Sequence, residues 1–355
     1  MYKMLVINPG STSTKIAVYE DEDENFVEVI QHSSEEIGKF HNIVEQYEFR
    51  KKIIEETLNN NGFIIKDFSA VISRGGLLKP LESGTYKINE KMINDLEIGV
   101  QGQHASNLGG LIANSISKEI GINGYIVDPV VVDEMDDIAR FTGIPEVNRR
   151  SLFHALNQKA VARRAATESE KKYECSNFIV AHMGGGITVG AHRRGRVVDV
   201  NDALFGDGPF TPERVGMIAS GPLIEMCFYS GFSIEEIKKK FVGNAGLTAY
   251  LRTNDGREVN KMIDSGNEYA ALVYEAMAYN VAKEIGKCAS VLEGDIDAII
   301  LTGGLAYDSR FVEWIKKRVE FISKIIVIPG EEEMKALAEG GLRVLRGEEE
   351  AKKYE

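Results

Sequence analysis

At 355 residues and a net charge of −12, the chain is too long for one ordinary core, and it lacks the basic surface that nucleic-acid binding requires. Hydrophobic residues make up 43% and charged residues 27%, with only 8 prolines, which excludes a low-complexity chain and suits a soluble two-domain protein. Cys175, Cys227 and Cys288 form no CxxC or Cys/His pattern, and there is no signal-like N-terminus or run of about 18 apolar residues, so a reducing cytoplasm with no membrane partner is expected.

Residues 2 to 31 read as three strands, YKMLVIN, KIAVYE and FVEVIQ. The first turn, Asn8 to Lys15, is rich in hydroxyls but fails the P-loop pattern, because Lys15 leads into a strand and not a helix. Its amides and the hydroxyls of Ser11, Thr12 and Ser13 could clamp a phosphate beside Gly10; a plain tight hairpin reads equally well. An amphipathic helix follows near Ile43 to Leu58, then a strand ending at Arg74-Gly75-Gly76. That arginine is either a surface ion-pair residue, which spacing alone favours, or an anion clamp. GQHASNLGG opens a helix running to about Gly121, with Ser106 and Asn107 as capping candidates and His104 just before them. The strand GYIVDP then brings Asp128 to a carboxyl end, where open α/β sheets place their chemistry.

A helix from about Leu152 to Tyr173 leads to a second half in which the plan repeats as SNFIVAH, ITVGAHR and RVVDVN. The turn His182 to Gly190 thus holds the same station as Asn8 to Lys15, a repeat of pattern without residue identity. The three glycines Gly184, Gly185 and Gly186 leave a turn nearly free of side chains, which reads as a phosphate cradle with His182 at its lip or as a glycine-rich hairpin. In FGDGPFTPERVG, the Thr-Pro-Glu signal places Arg214 at the start of a helix. SIEE at 233 to 236 is a capping box, and Asn267 to Glu293 reads as a long buried helix. DAIILTGGLA is a buried strand ending in two glycines before the helix Ser309 to Phe321, a site for an anion or adenosine or simply a close helix–strand crossing. Glu331, Glu332 and Glu333 start the last helix, where first-turn acids ordinarily serve the helix dipole.

Together NPGSTSTK, SRGG, GQHASNLGG, IVDP, HMGGGITVG, TPERVG, LTGGLA and IPGEEEM resemble, in order and approximate spacing, the acetate and butyrate kinase family. The resemblance covers nearly the whole chain. It implies an α/β fold of two similar domains of the actin, sugar-kinase and Hsp70 type (ribonuclease H-like), with a nucleotide cleft between them. The domains would span 1–147, with 331–355 returning to the first, and 148–330 with helical insertions. The implied activity is reversible, ATP-dependent phosphorylation of a short carboxylic acid to an acyl phosphate and ADP. By the same resemblance, Arg74 and Arg214 bracket the carboxylate and the moving phosphoryl group, His182 donates to its equatorial oxygens with His104 assisting, and Asp128 orients metal or carboxylate. Asn8 and Glu332 match magnesium-associated positions. Gly10, Ser11, Thr12, Ser13, Lys15 and Gly184 to Gly186 would hold the phosphates, and Gly303, Gly304, Leu305 and Ala306 would sit near the adenosine. A homo-oligomer, dimer or higher, is also implied.

Departures from the family's acetate members bear on the acid. Ala181 stands where they carry a bulky aromatic, and Gly76 where they carry valine. Both changes imply a roomier pocket, each added carbon contributing up to roughly 0.8 kcal/mol on burial, so butyrate or a branched acid such as isobutyrate is expected over acetate. The alternatives are an acetate or propionate kinase, a sugar kinase, or a non-catalytic nucleotide switch of the same superfamily. A sugar kinase would need an aspartate base and polar pocket residues where this chain offers two arginines that suit an anion, and a switch would leave Arg74, Arg214 and Asp128 without a role.

Overall fold

Short apolar runs bounded by glycine, proline and acidic turns set the strands, and longer amphipathic stretches set the helices. A computed structural model describes every residue except Phe205. In chain order its strands and helices begin with β1 (Lys3–Pro9), β2 (Ser13–Glu20), β3 (Asp23–Gln31), α1 (Ser34–Ile37), α2 (Tyr47–Asn60), β4 (Ala70–Arg74), β5 (Thr85–Lys87), α3 (Glu90–Ile98), α4 (Asn107–Ile120) and β6 (Asn123–Val127). There follow α5 (Ala155–Glu168), β7 (Asn177–Met183), β8 (Ile187–Arg193), β9 (Arg196–Val200), α6 (Ser220–Tyr229), α7 (Ile234–Phe241), α8 (Gly246–Leu251), α9 (Gly256–Asp264) and α10 (Glu268–Val291). The chain ends with β10 (Ala298–Gly303), α11 (Ser309–Val319), β11 (Ile325–Pro329), α12 (Glu333–Leu345) and β12 (Lys352–Lys353). Two compact units result, Met1–Asp133 with Glu332–Glu355, and Glu134–Glu331.

The first unit is built on a seven-stranded sheet in the order β12-β5-β6-β4-β1-β2-β3. β1, β2 and β3 run antiparallel through tight turns, while β4 and β6 run parallel to β1. A Cβ on Gly109 of α4 would lie 2.3 Å from Ser73 Oγ, and one on Gly341 of α12 would lie 2.4 Å from Ile72 Cδ1. Neighbouring strand residues point to opposite faces, so α4 and α12 cover the two sides of β4 at a range only glycine permits. The C-terminus is tied in by β12 beside β5 and by the Tyr354 hydroxyl, which donates to Asp95 at 2.8 Å.

The second unit carries a five-stranded sheet, β11-β10-β7-β8-β9. Read as β9-β8-β7-β10-β11, this order and its mixture of antiparallel and parallel pairs repeat β3-β2-β1-β4-β6 of the first sheet. The repeated pattern in the sequence is therefore a repeated topology, an α/β fold of two ribonuclease H-like units. On one face Val161, Ala162 and Ala165 of α5 pack on Phe178, Val180 and Ile300; on the other, Met277, Val281 and Phe311 pack on Ile179, Ala181 and Leu301.

Two expectations are corrected. The first unit closes at 133, not 147, because Glu134 is locked into the second: its Oε2 accepts from the buried Lys159 Nζ at 2.6 Å and from the Val197 amide at 2.9 Å. The segment beyond follows it, since the Asp136 amide donates to Val198 O at 2.9 Å and Arg149 pairs with Asp199 at 2.8 Å. Nor does Thr211-Pro212-Glu213 start a helix. Thr211 Oγ1 accepts from the Arg214 amide at 3.0 Å and donates to Gly185 O at 2.7 Å, closing a turn, and Arg214 forms an isolated bridge with Val242; α6 begins only at Ser220. The Ser233 capping box forms at α7, and Asn267 caps α10. Among the described residues no helix is long and apolar enough to cross a membrane.

Candidate active site

In the first unit the parallel strands β1, β4 and β6 deliver Asn8, Arg74 and Asp128 to their carboxyl ends. Glu333, in the first turn of α12, joins two of them: Asn8 Nδ2 donates to its Oε2 at 2.6 Å, and Arg74 Nη1 pairs with its Oε1 at 2.9 Å. Glu332 is the N-cap residue of that helix and its side chain caps nothing. Of the two neighbouring acids, it is Glu333 that meets Asn8. Asp128 is buried at a φ of 36°, and its Oδ1 accepts from Ser83 Oγ at 2.8 Å and from the Gly84 amide at 2.7 Å. Such backbone is uncommon for a buried non-glycine residue, and these two bonds hold it there. His104 stands on the surface ahead of α4, its Nδ1 2.8 Å from Ser106 Oγ. The Gly10–Ser13 turn is closed by a bond from the Gly10 amide to Ser13 O at 2.8 Å, with Ser11 and Thr12 exposed and Lys15 across the hairpin from Asn8.

In the second unit His182 lies near the end of β7 and is 1% exposed. Its Nδ1 lies 2.8 Å from Asn157 Oδ1 on α5. An amide oxygen only accepts, so Nδ1 carries the proton of this bond. The ring stacks on His154 at 3.8 Å and 11°, and His154 Nδ1 is fixed by Thr188 Oγ1 at 2.9 Å. Nε2 lies 3.0 Å from Glu331 Oε1 but without hydrogen-bond alignment. Beside it, the turn folds through a Gly184 amide bond to Gly186 O at 3.0 Å. A Cβ on Gly186 would lie 2.4 Å from Arg214 Nη1, so this glycine lets the guanidinium approach the cradle. Arg214 Nη1 donates to Ala203 O at 2.9 Å, its buried Nε has no hydrogen-bond partner among the described residues, and burial pulls the group below its usual pKa. Asn157, His154, Glu331 and Glu333 were not singled out as site residues by sequence; asking what orients His182 points to the His154/Asn157 pair at helical spacing.

A cavity of about 1330 Å³ opens from this turn, lined by Gly184, Gly185, Gly304, Leu305, Asp308 and Arg310 among others. It is large enough for a nucleoside with its phosphates. Asp308 caps α11 and accepts from the Tyr274 hydroxyl at 2.7 Å; burial, and then this bond, raise the tyrosine pKa. Gly303 and Ala306 do not line the cavity. Gly303, at a φ of 88°, rests on the Met183 backbone, where a Cβ would lie 2.5 Å from Met183 O, and Ala306 is buried.

Neither residue taken to enlarge the acid pocket does so. Ala181 alternates with His182 along β7 and so points to the opposite face, into the core with Ile179, Met183 and Leu301. The space a side chain would occupy at Gly76 is filled by Asn107 and Leu96: a Cβ there would lie 2.4 Å from Asn107 Oδ1. Ala181→Phe is therefore expected to lower stability by about 1–3 kcal/mol through overpacking, with an unchanged ratio of acetate to butyrate kcat/KM. Chemical unfolding and substrate kinetics on the variant check this; a shift toward acetate without loss of stability would overturn it.

Asn8 and Glu333 are donors in the first unit that a divalent cation could meet. Among the described residues no group of three or more His, Cys, Asp or Glu is arranged to hold one. Mg²⁺ ordinarily uses one or two carboxylates and leaves its other positions to phosphate and water, which Glu333 beside Asn8 allows.

The sequence profile of the Acetokinase family matches residues 144–341. Butyrate kinase 2 of Clostridium acetobutylicum is 57% identical over 353 residues, covering 99% of both chains, and butyrate kinase 1 of the same organism is 54% identical over 354 residues, covering 100% of both. In fold, the chain is similar to Porphyromonas gingivalis acetate kinase, with a TM-score of 0.81 at 20% identity over 97% of this chain and 100% of the other. With its two repeated sheets and this likeness along its length, the chain belongs to the acetokinase family.

Proposed function

We propose that this chain transfers the γ-phosphoryl group of ATP to a short-chain carboxylate, butyrate or a branched acid of similar length, giving the acyl phosphate and ADP in a reversible reaction. The observation that carries this reading is its 57% identity, over 99% of both chains, to a butyrate kinase. The chemistry of the site agrees. A carboxylate oxygen is already ionised at neutral pH, so it attacks the γ-phosphorus as the bond to the β-phosphate oxygen breaks, and no base is needed. What the protein supplies is position and charge. Arg74 and Arg214 present planar forks to anions, His182 donates to the phosphoryl oxygens, and Asp128 orients the partners at the end of β6. The Gly10–Ser13 turn in the first unit and Gly184–Gly186 in the second each offer amides suited to phosphates, and the cavity beyond Gly304 and Leu305 offers room for the nucleoside. Mg²⁺, when bound on the nucleotide, neutralises phosphate charge, and Asn8 with Glu333, next to Glu332, would meet it.

The test is hydroxamate formation with MgATP and a series of acids from acetate to hexanoate, isobutyrate included. Butyrate or isobutyrate is expected to give the highest kcat/KM. Preference for acetate would move the chain to the acetate and propionate kinases, and a failure to trap any acyl phosphate would overturn the reading. A homo-oligomer accompanies it, supported by Ile224, Phe228 and Tyr229 of α6, which are 56%, 78% and 86% exposed. A monomeric mass in analytical ultracentrifugation would refute that part.

A further inference from the structure

Arg50 is the largest fully buried side chain among the described residues, at 1% exposure, and it projects from α2 against the Gly10–Ser13 turn. Its Nη1 donates to Gly10 O at 2.7 Å, to Ser13 O at 3.0 Å and to Thr14 Oγ1 at 3.1 Å; Nη2 donates to Ser11 O at 3.0 Å and to Gln46 Oε1 at 2.8 Å. Nε completes the set on Gln46 Oε1 at 3.1 Å. All of these acceptors are neutral, and among the described residues no carboxylate pairs with the guanidinium. Burial pulls its pKa down to about 10, which leaves it charged at neutral pH. The neighbouring His32, 2.8 Å from Thr14 Oγ1, is held below its usual pKa by burial and by Arg50, and an imidazole, neutral or cationic, supplies no counter-charge.

An unpaired buried cation is costly, and such a cost is retained where the charge has a use. In a trans peptide the carbonyl of one residue and the amide of the next point in opposite directions. Drawing the Gly10 and Ser11 carbonyls inward therefore turns the Ser11 and Thr12 amides outward. Neither amide has a hydrogen-bond partner among the described residues, and both residues are exposed. Outward amides with a fixed positive charge behind them form an anion site.

We propose that Arg50 is a positioning residue for the nucleotide phosphates: its grip on the Gly10, Ser11 and Ser13 carbonyls aims the turn's amides, and its unneutralised charge is answered by the bound polyphosphate. The proposal rests on the ATP-dependent reading of the site. The decisive variant is Gln46→Glu, which leaves the guanidinium in place and sets a carboxylate against it. Calorimetric binding of MgATP, KM values from the hydroxamate assay and Tm are compared among wild type, Gln46→Glu and Arg50→Lys. In Gln46→Glu, MgATP binding is expected to weaken about tenfold, with the butyrate KM within about twofold and Tm held. Arg50→Lys keeps the charge but not the fork and is expected to lose a similar factor with some loss of Tm. Unchanged MgATP binding in Gln46→Glu, or a parallel rise in both KM values, would assign Arg50 to folding alone. An insoluble Gln46→Glu protein would equally overturn the proposal, since pairing a buried cation should not cost the fold. A wild-type protein that binds MgATP through this arginine but makes no acyl phosphate would refute the acyl-kinase reading and leave the role of Arg50 standing.

Discussion

His182→Ala is expected to lower kcat for acyl phosphate formation by about a hundredfold to a thousandfold while moving the butyrate KM by less than about threefold, the pattern of a group that acts in the transition state. The expectation rests on how firmly the ring is held. Nδ1 is committed to Asn157 Oδ1 at 2.8 Å, and the ring face is packed on His154 at 3.8 Å. With Nδ1 so committed, Nε2 is the ring atom left to face the phosphoryl oxygens. A fixed donor of this kind costs no reorganisation when charge develops on the phosphoryl oxygens. Asn157→Ala would release the ring without removing it, and a smaller loss of about tenfold is expected. Steady-state kinetics on the two variants, with Tm measured alongside, are the check. Should His182→Ala retain kcat within about threefold, the histidine is a packed core residue and the donor lies elsewhere.

The parts of this molecule that were readable in sequence are those whose chemistry is local. Strand, small-residue turn and strand at Asn8–Lys15 and at His182–Gly190 announced two equivalent hairpins, and the capping groups Ser233 and Asn267 marked helix starts that the structure keeps. What failed depended on groups far along the chain. Thr-Pro-Glu at 211 to 213 carries every local sign of a helix, but Thr211 Oγ1 is spent on the Arg214 amide and on Gly185 O, 26 residues away, so a turn forms instead. The small residue at Gly76 suggests a void, yet Asn107 fills it, its Oδ1 accepting from the Leu77 amide at 2.9 Å. Ala181 fails through parity: one position along a strand exchanges the site face for the core face. Arg50 carries no local signal in the sequence, and only the carbonyls that converge on it reveal its place.

Glu333→Gln is expected to reduce kcat/KM for MgATP by about a hundredfold, and Glu332→Gln by less than about threefold. The two glutamates are adjacent, so sequence position separates them poorly, but successive residues at a helix start point roughly 100° apart. The structure turns Glu333 toward the ends of β1 and β4, where one carboxylate oxygen accepts from Asn8 at 2.6 Å and the other meets Arg74 at 2.9 Å. An amide in its place can still bond Asn8, but it loses the charge that orients the Arg74 fork and the charge that a hydrated Mg²⁺ would meet on the nucleotide. Two readouts follow from that double role. The free Mg²⁺ needed for half-maximal rate should rise in Glu333→Gln and stay at the wild-type level in Glu332→Gln, and the butyrate KM should rise only in Glu333→Gln, because an unpaired Arg74 no longer keeps its position. Titrating Mg²⁺ at fixed ATP, then butyrate at saturating MgATP, measures both. If Glu332→Gln proves the damaging change while Glu333→Gln retains wild-type kinetics, Glu332 carries the metal-facing carboxylate and the Asn8–Glu333–Arg74 contacts serve only to dock α12 on the sheet.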